Sequence, residues 1–395
     1  MKTSKLRIAV LLCTIVILSG IAYTLYTYPS LLDGINWSTP PLSDDPQDVP
    51  SDEPTVPVVP PEVDPPADEP QQPKTPIVTL SGNYYTYAQL SEQLATLAER
   101  YPDILKVRSY GTSADGRELY VATLGDPNAP KQIIVTAGMH AREYVNCFVV
   151  MRQIEYYLEH YDDGTYEGKT FRELFSKVSL VIAPMTNPDG ITLAQEGIGA
   201  LRSDALREDI ERIVRSSGSR DVDRYLNLNW KSNARGVDIN RNFDILWNEY
   251  SVHSSYTVPA FKEYKGPTVN SEPETAALVA LTDGLSDPVA SVCVHSQGNI
   301  VYWRCDPTSE LWTENLRLAE ITQDITGYSI IDENQTDAQT EPSYSNWTVF
   351  ARGIPTVTVE NGVGGYPQSY DMADSFFERS RDLWAAIAFE YSTAN

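Results

Sequence analysis

Histidine and cysteine are scarce in this chain, with four of each among 395 residues. The cysteines are Cys13, Cys147, Cys293 and Cys305, and no C-x-x-C occurs, which argues against a cysteine-based zinc or redox centre. Cys13 lies in an apolar N-terminal stretch, so at most one disulfide can form in the globular part. Cys293 and Cys305 are the pair nearest in sequence, but buried free thiols are common and are the expectation here. Basic residues are also in deficit: 30 Lys and Arg against 54 Asp and Glu leave a net charge of −24. Phosphate binding wants a basic footprint, so no nucleic-acid partner is expected. There is no G-x-S-x-G elbow and no H-E-x-x-H, which argues against a serine hydrolase of the elbow type and against the helix-borne zinc peptidases. No internal repeat is visible.

The chain divides by composition into three parts. After Lys2, Lys5 and Arg7, an uncharged apolar run extends from Ile8 to about Tyr26. At ~1.5 Å per helical residue it can cross a hydrocarbon core of ~30 Å. No clean A-x-A site follows it, so residues 1–27 are expected to form an uncleaved signal anchor with the N-terminus inside. A cleaved signal peptide is the alternative, and either would export the remainder. Residues 28–77 are expected to be a disordered linker. Thirteen of the 27 prolines lie between Pro40 and Pro76, and ten acidic residues stand against one lysine between Asp33 and Lys74. Such a segment cannot bury enough apolar surface to fold, and its prolines keep it extended.

Residues 78–395 have globular composition. Thr86-x-x-Gln89 reads as a capping box, followed by Leu90, Leu94 and Leu97 at helical spacing and ended by Tyr101-Pro102. Leu105–Tyr110, Leu119–Thr123, Gln132–Thr136, Val178–Ala183, Val289–Val294 and Thr356–Val359 read as strands. Tyr144 to His160 reads as a helix, Asn187-Pro188-Asp189-Gly190 as a turn, and residues 191–229 as a charged helical excursion over the surface. Ser271-x-x-Glu274 predicts a further helix start, and Ala373–Tyr391 a single closing helix. Helices alternating with β-branched strands indicate one α/β domain around a mostly parallel sheet.

Gly138-Met139-His140-Ala141-Arg142-Glu143 follows a buried strand and puts an imidazole and a carboxylate three positions apart. His295 follows another such strand, whereas His160 and His253 fall in charged or polar surroundings and are expected to be solvated. Functional groups of open α/β sheets gather at the carboxyl ends of strands. His140, Glu143 and His295 would meet there as a zinc set with a fourth place for water. Glu360 closes a buried strand, which is costly for a carboxylate without a role, and makes it a candidate general base. Asn240-Arg241 offers an amide and a planar guanidinium suited to gripping a carboxylate, and Arg142 places a further cation near the metal.

Together these blocks, with Gly111-x-Ser113-x-x-Gly116-Arg117, Asn187-Pro188-Asp189-Gly190, Gly236–Phe243, Tyr264-x-Gly266 and Ser271–Thr275, resemble the carboxypeptidase A-like zinc peptidases over roughly residues 79–394. The resemblance implies an eight-stranded mixed sheet flanked by helices, with one zinc per chain at its edge. It implies zinc ligation by His140, Glu143 and His295, and a general acid/base role for Glu360. It also implies that Arg142, Asn240 and Arg241 steady the substrate's terminal carboxylate and reacting carbonyl. The family's oxyanion arginine has no unique counterpart here, since both Lys231 and Arg235 are candidates. Tyr344 is the nearest candidate for the family's mobile tyrosine. His295–Trp303 and Trp230–Gly236 look like the bacterial branch that cuts γ-D-glutamyl–diamino-acid bonds. That branch commonly has Gly-Gly-Tyr-Lys-Asp-Trp where this chain has Pro342-Ser343-Tyr344-Ser345-Asn346-Trp347. The expectation is a monomeric metallocarboxypeptidase acting on peptides, cell-wall stem peptides included, at the outer face of a membrane or secreted. A catalytically silent peptide-binding module of the same fold is the competing expectation.

Overall fold

Unbroken apolar runs become the parallel centre of the sheet, because strands covered on both faces bury every side chain. Val178–Ala183, apolar except for Ser179, is buried at all six positions. The computed structural model describes residues 75–250, 256–332, 334 and 340–393. The expected anchor, the linker up to residue 74, Cys13 and His253 lie outside these residues. Among the described residues no helix is long and apolar enough to cross a membrane.

The eight strands of the main sheet are β1 (Leu105–Thr112), β2 (Glu118–Leu124), β3 (Lys131–Ala137), β4 (Val178–Ala183), β5 (Pro288–His295), β6 (Ile300–Trp303), β7 (Ser329–Asp332) and β8 (Thr356–Glu360). Their spatial order is β1-β2-β4-β3-β5-β8-β6-β7. β4, β3, β5 and β8 run parallel, while β1/β2, β2/β4 and β8/β6 are antiparallel. The outermost pair, β6 and β7, is parallel again. The sheet is therefore mixed, with a parallel core. β6 and β7 are four residues each and were not anticipated, since so short a run carries almost no periodicity.

Helix α1 (Tyr87–Arg100) buries Leu90, Leu94 and Leu97 as its spacing predicts. Only half of its capping box forms. The Thr86 hydroxyl accepts from the Gln89 amide, but the Gln89 side chain turns to Ser81 and the Tyr84 carbonyl instead. Helix α2 (Val145–Glu159) follows β3 and is buried along most of its length. Asn187-Pro188-Asp189-Gly190 does not make an isolated turn; it opens helix α3 (Pro188–Glu196). The residues that favour a turn also make a good helix start. Asn187 Oδ1 accepts from Gly190 N at 3.0 Å, and proline sits in the first turn where its missing N–H is harmless. The segment 191–229 is thus only partly a surface excursion. Ile191–Gln195 is buried, and the charged faces belong to the later helices Asp204–Ser216 and Val222–Asn229.

Two helix ends also depart from expectation. In α4 (Pro273–Asp283) the N-cap is Glu272, not Ser271, whose hydroxyl is engaged by Glu272 Oε1 and Asn242 Nδ2. The C-terminal helix is broken at Arg381-Asp382 into Ala373–Ser380 and Leu383–Thr393. Cys147, Cys293 and Cys305 are buried thiols outside any disulfide, as the commoner alternative has it. Burial pushes the Cys147 and Cys305 thiols up. His160 is half-exposed, with Nδ1 3.4 Å from Asp163.

A buried polar network ties the β1–β2 turn to α3 and α4. Arg117 bridges Asp115 (2.6 Å) and Asp189 (2.8 Å), with all three side chains almost fully buried. Glu274 accepts from Ala114 N (2.9 Å) and Asn233 Nδ2 (3.1 Å) beside this group. Burial first, and then the charge of Asp189, raises its carboxyl to about 7. The native state therefore holds this proton more tightly than the unfolded chain. Its contribution to stability is complete below the unfolded value near 4.5 and is lost as the pH rises through about 7. A Glu274→Gln variant should show a flatter fall in unfolding free energy between about pH 5 and 8, differing from wild type by on the order of 3 kcal/mol across that window. Parallel pH profiles from denaturant titrations would refute this assignment.

Candidate metal centre and substrate pocket

The chain leaves β3 through Gly138, whose φ is +66°. A Cβ there would lie 2.5 Å from Cys147 Sγ and 2.8 Å from Ile191 Cδ1, so glycine is needed both for the turn and for close packing of α2 and α3. The turn delivers His140 and then Glu143 at the entry to α2. β5 ends on His295, and β8, its parallel neighbour, ends on Glu360 directly opposite His295 in register. Three adjacent strands therefore bring their carboxyl ends to one place, as open α/β sheets do.

Candidate ligand atoms of His140, Glu143 and His295 lie within 4.8 Å of one another, and all three residues are buried. His140 Nδ1 is 2.9 Å from Glu143 Oε1, His295 Nδ1 is 2.9 Å from Glu143 Oε2, and the two Nδ1 atoms are 3.2 Å apart. Ser296 N donates to Glu143 Oε2 at 3.2 Å. Burial by itself would raise the Glu143 carboxyl, but His140 and His295 outweigh it and hold it well below the usual carboxylate range. Burial lowers His295, favouring the neutral, coordinating imidazole, although Glu143 opposes it.

The donor set fits zinc: two imidazole nitrogens and one carboxylate converge, leaving room for a further ligand. The outer side of His140 supports the same reading. His140 Nε2 is buried without a formed hydrogen bond, yet Asp238 Oδ1 stands 3.4 Å away. A carboxylate on the far nitrogen fixes the tautomer that leaves Nδ1 free to coordinate. Asp238 is fully buried; burial opposes its charge, but His140, Lys231 and Arg241 keep it well below the usual range. Nothing in the sequence reading singled it out. Its signal was an aspartate between Val237 and Ile239, two positions before Asn240. Asp238→Asn should weaken zinc binding by about 10–100-fold. Competition with a chromophoric chelator reads that change, and an unaltered affinity would exclude the second-sphere role.

The cavity beside the triad is walled by Lys231, Asn240, Arg241, Ser296, Tyr302, Glu341, Ser343, Ser345, Thr358, Glu360 and Tyr366. Glu360 and Thr358 share one face of β8 by the two-residue period of a strand. Of the two candidate oxyanion residues, Lys231 is on this wall, and its carbonyl accepts from Ala141 N of the His140 loop at 3.2 Å. Arg235 is half-exposed, 3.8 Å from Glu272, and contributes to a different surface depression. Asn240 Oδ1 accepts from Tyr344 N at 3.0 Å, while Arg241 is buried and ion-paired to Glu341.

Arg142 stacks its guanidinium 3.8 Å over the ring of Tyr366, which is itself on the wall and donates from Oη to the Ser296 carbonyl at 2.7 Å. Burial, then Glu143 and Glu360, push the Tyr366 phenol up.

Tyr344 does not reach the cavity. Its side chain is fully buried between Phe243 and Trp347, with Oη 2.9 Å from Thr282 Oγ1. Ser343 caps the helix Tyr344–Arg352, and that helix turns the tyrosine inward while Ser343 and Ser345 face the cavity. The wall tyrosines, Tyr302 and Tyr366, were not named as candidates. Tyr366 follows Glu360 by six residues in a glycine-rich loop whose path sequence patterning does not reveal.

Comparison with known proteins agrees with this geometry. The zinc carboxypeptidase family profile matches residues 90–379. An uncharacterized Bacillus subtilis protein, YqgT, is 24% identical over 77% of this chain and 77% of its own length. Gamma-D-glutamyl-L-diamino acid endopeptidase 1 of Lysinibacillus sphaericus is 25% identical over 76% of this chain and 72% of its own. Among solved structures, carboxypeptidase A from Helicoverpa armigera superposes with a TM-score of 0.60 at 16% identity, covering 82% of this chain and 78% of that one. Thrombin-activatable fibrinolysis inhibitor gives 0.62 at 18% identity, covering 81% and 78%. With its His-Glu-His cluster at the carboxyl edge of an eight-stranded mixed sheet, the chain belongs to the zinc carboxypeptidase family.

Proposed function

We propose that the protein is a zinc-dependent peptidase that cleaves the bond next to a free C-terminal residue, with cell-wall stem peptides as its substrate class. What supports the reading is one convergence: the triad, Glu360, Lys231 and Arg241 on a single cavity wall. His140, Glu143 and His295 would hold a zinc ion, which would supply Lewis acidity toward the scissile carbonyl and lower the pKa of a water in the site. Glu360, at the end of β8, takes the proton from the attacking water and returns it to the leaving amine. Lys231 sets a positive charge beside the oxyanion that develops at the carbonyl. Asn240 and Arg241 hold the terminal carboxylate, which fixes the scissile bond relative to Glu360. Arg142, stacked on the wall residue Tyr366, adds a cation near the site.

The cell-wall assignment rests on similarity to the γ-D-glutamyl–diamino-acid endopeptidase and on the stretches around Trp230 and His295 that resemble that branch. We place the enzyme outside the cytoplasm on the strength of the apolar run after Lys2, Lys5 and Arg7. A digest of purified muropeptides beside a panel of C-terminal dipeptides tests the substrate class. Release of diamino acid–containing fragments is the expected product. Hydrolysis of the dipeptides alone would sink the cell-wall assignment.

A further inference from the structure

The residue assigned to grip the substrate carboxylate already holds one. Arg241 Nη2 is 2.5 Å from Glu341 Oε1, Nη1 donates to the Asn240 carbonyl at 2.9 Å, and Nε is buried without a partner. Glu341 is not a chance surface neighbour. Its carbonyl accepts from Asn346 Nδ2 at 2.8 Å, and Phe243 N donates to the carbonyl of the next residue, Pro342, at 3.2 Å. Its backbone is thereby fixed at the start of the helix Tyr344–Arg352. The Glu341 side chain is 28% exposed against 8% for Arg241, so it stands at the solvent side of the pair. The surrounding wall carries Tyr302, Ser343, Ser345 and Thr358, and no aliphatic side chain among the described residues.

A substrate that brings only a carboxylate to Arg241 faces two poor options. It can displace Glu341 and break a charge-assisted hydrogen bond, or it can lie beside a like charge in a partly desolvated cleft. A terminal residue that also carries an ammonium group avoids both: its carboxylate meets Arg241 and its ammonium meets the outer oxygen of Glu341. Because Glu341 is bound directly to Arg241, the two substrate charges must lie close together. An amine at the end of a long flexible side chain would not match this spacing.

Resting on the peptidase reading above, we propose that Glu341 determines specificity by making Arg241 admit a terminal carboxylate only with an ammonium group close beside it, as in a short diamino acid. Four peptides that differ only in the last residue test this: 2,4-diaminobutyrate against 2-aminobutyrate, and lysine against norleucine. Wild type should prefer diaminobutyrate over aminobutyrate by about tenfold or more in kcat/KM, chiefly through KM, and should show a smaller preference in the longer pair. Glu341→Gln keeps an acceptor for Arg241 but removes the charge, and should bring the first ratio to about one. Glu341→Asp should retain part of it. An equal ratio in wild type and Glu341→Gln, or a parallel loss on both substrates, would overturn the proposal. So would a larger preference in the lysine pair, which would point to a distal cation site. The same ratios read as calorimetric dissociation constants in the Glu360→Gln protein separate the two claims. A ratio that persists in binding when wild type cleaves nothing supports Glu341 and removes the peptidase reading. Cleavage with no Glu341-dependent ratio does the reverse.

Discussion

Glu360→Gln is expected to lower kcat/KM by about 10²–10⁴-fold while zinc content stays near one per chain. Glu360 is the last residue of β8, opposite His295 in register and on the same cavity wall as the triad. Glutamine preserves size and one acceptor oxygen but cannot take or return a proton. The loss should therefore fall on kcat rather than on KM, because no contact to the substrate's terminal carboxylate is removed. A variant with full activity would take Glu360 out of the mechanism. A variant that loses zinc and activity together would make it part of the metal site instead of the base.

The second large effect concerns the metal. Replacing His295 by alanine leaves two protein donors where a catalytic zinc needs three. Zinc affinity should then fall further than the about 10–100-fold expected of Asp238→Asn. Activity should disappear at zinc concentrations that saturate wild type. Stability supplies an independent readout. A metal that binds only the folded state raises the melting temperature by mass action, so added zinc should stabilise wild type and leave His295→Ala nearly unmoved. The substitution also removes a partner of Glu143, whose carboxylate is buried and charged through His140 and His295. The variant should accordingly be less stable than zinc-free wild type. Stoichiometric zinc in purified His295→Ala would contradict the ligand assignment.

The sheet core and the triad were legible because both are written locally. Ile133–Ala137, Val289–Val294 and Thr356–Val359 are dense in β-branched and apolar side chains; His140 comes three residues after the first, His295 directly after the second and Glu360 directly after the third. Register did the rest, since parallel strands with aligned ends leave His140, His295 and Glu360 no distant place to go. The rest of the pocket was less legible because Lys231, Asn240, Arg241, Glu341, Ser343, Ser345 and Tyr366 come from loops, a short 3-10 turn and a helix start. Tyr344 illustrates the difficulty. It was the nearest tyrosine in the segment Pro342–Trp347, yet the Ser343 cap sets a helical phase in which it turns into the core. Glu341 and Asp238 gave no periodic signal, because their partners lie far away in sequence: Glu341 pairs with Arg241, and Asp238 approaches His140 while accepting from Glu263 N. Asn187-Pro188 shows a third kind of ambiguity, in which one chemistry serves both a turn and a helix start.

The most direct test of the account is to identify the products released from a mixed peptide substrate by mass spectrometry, with and without a chelator. The account predicts loss of residues next to the free C-terminus, abolished by chelation and restored by added zinc. Cleavage indifferent to chelation would contradict it, and so would a zinc-loaded protein that binds the peptides and releases nothing.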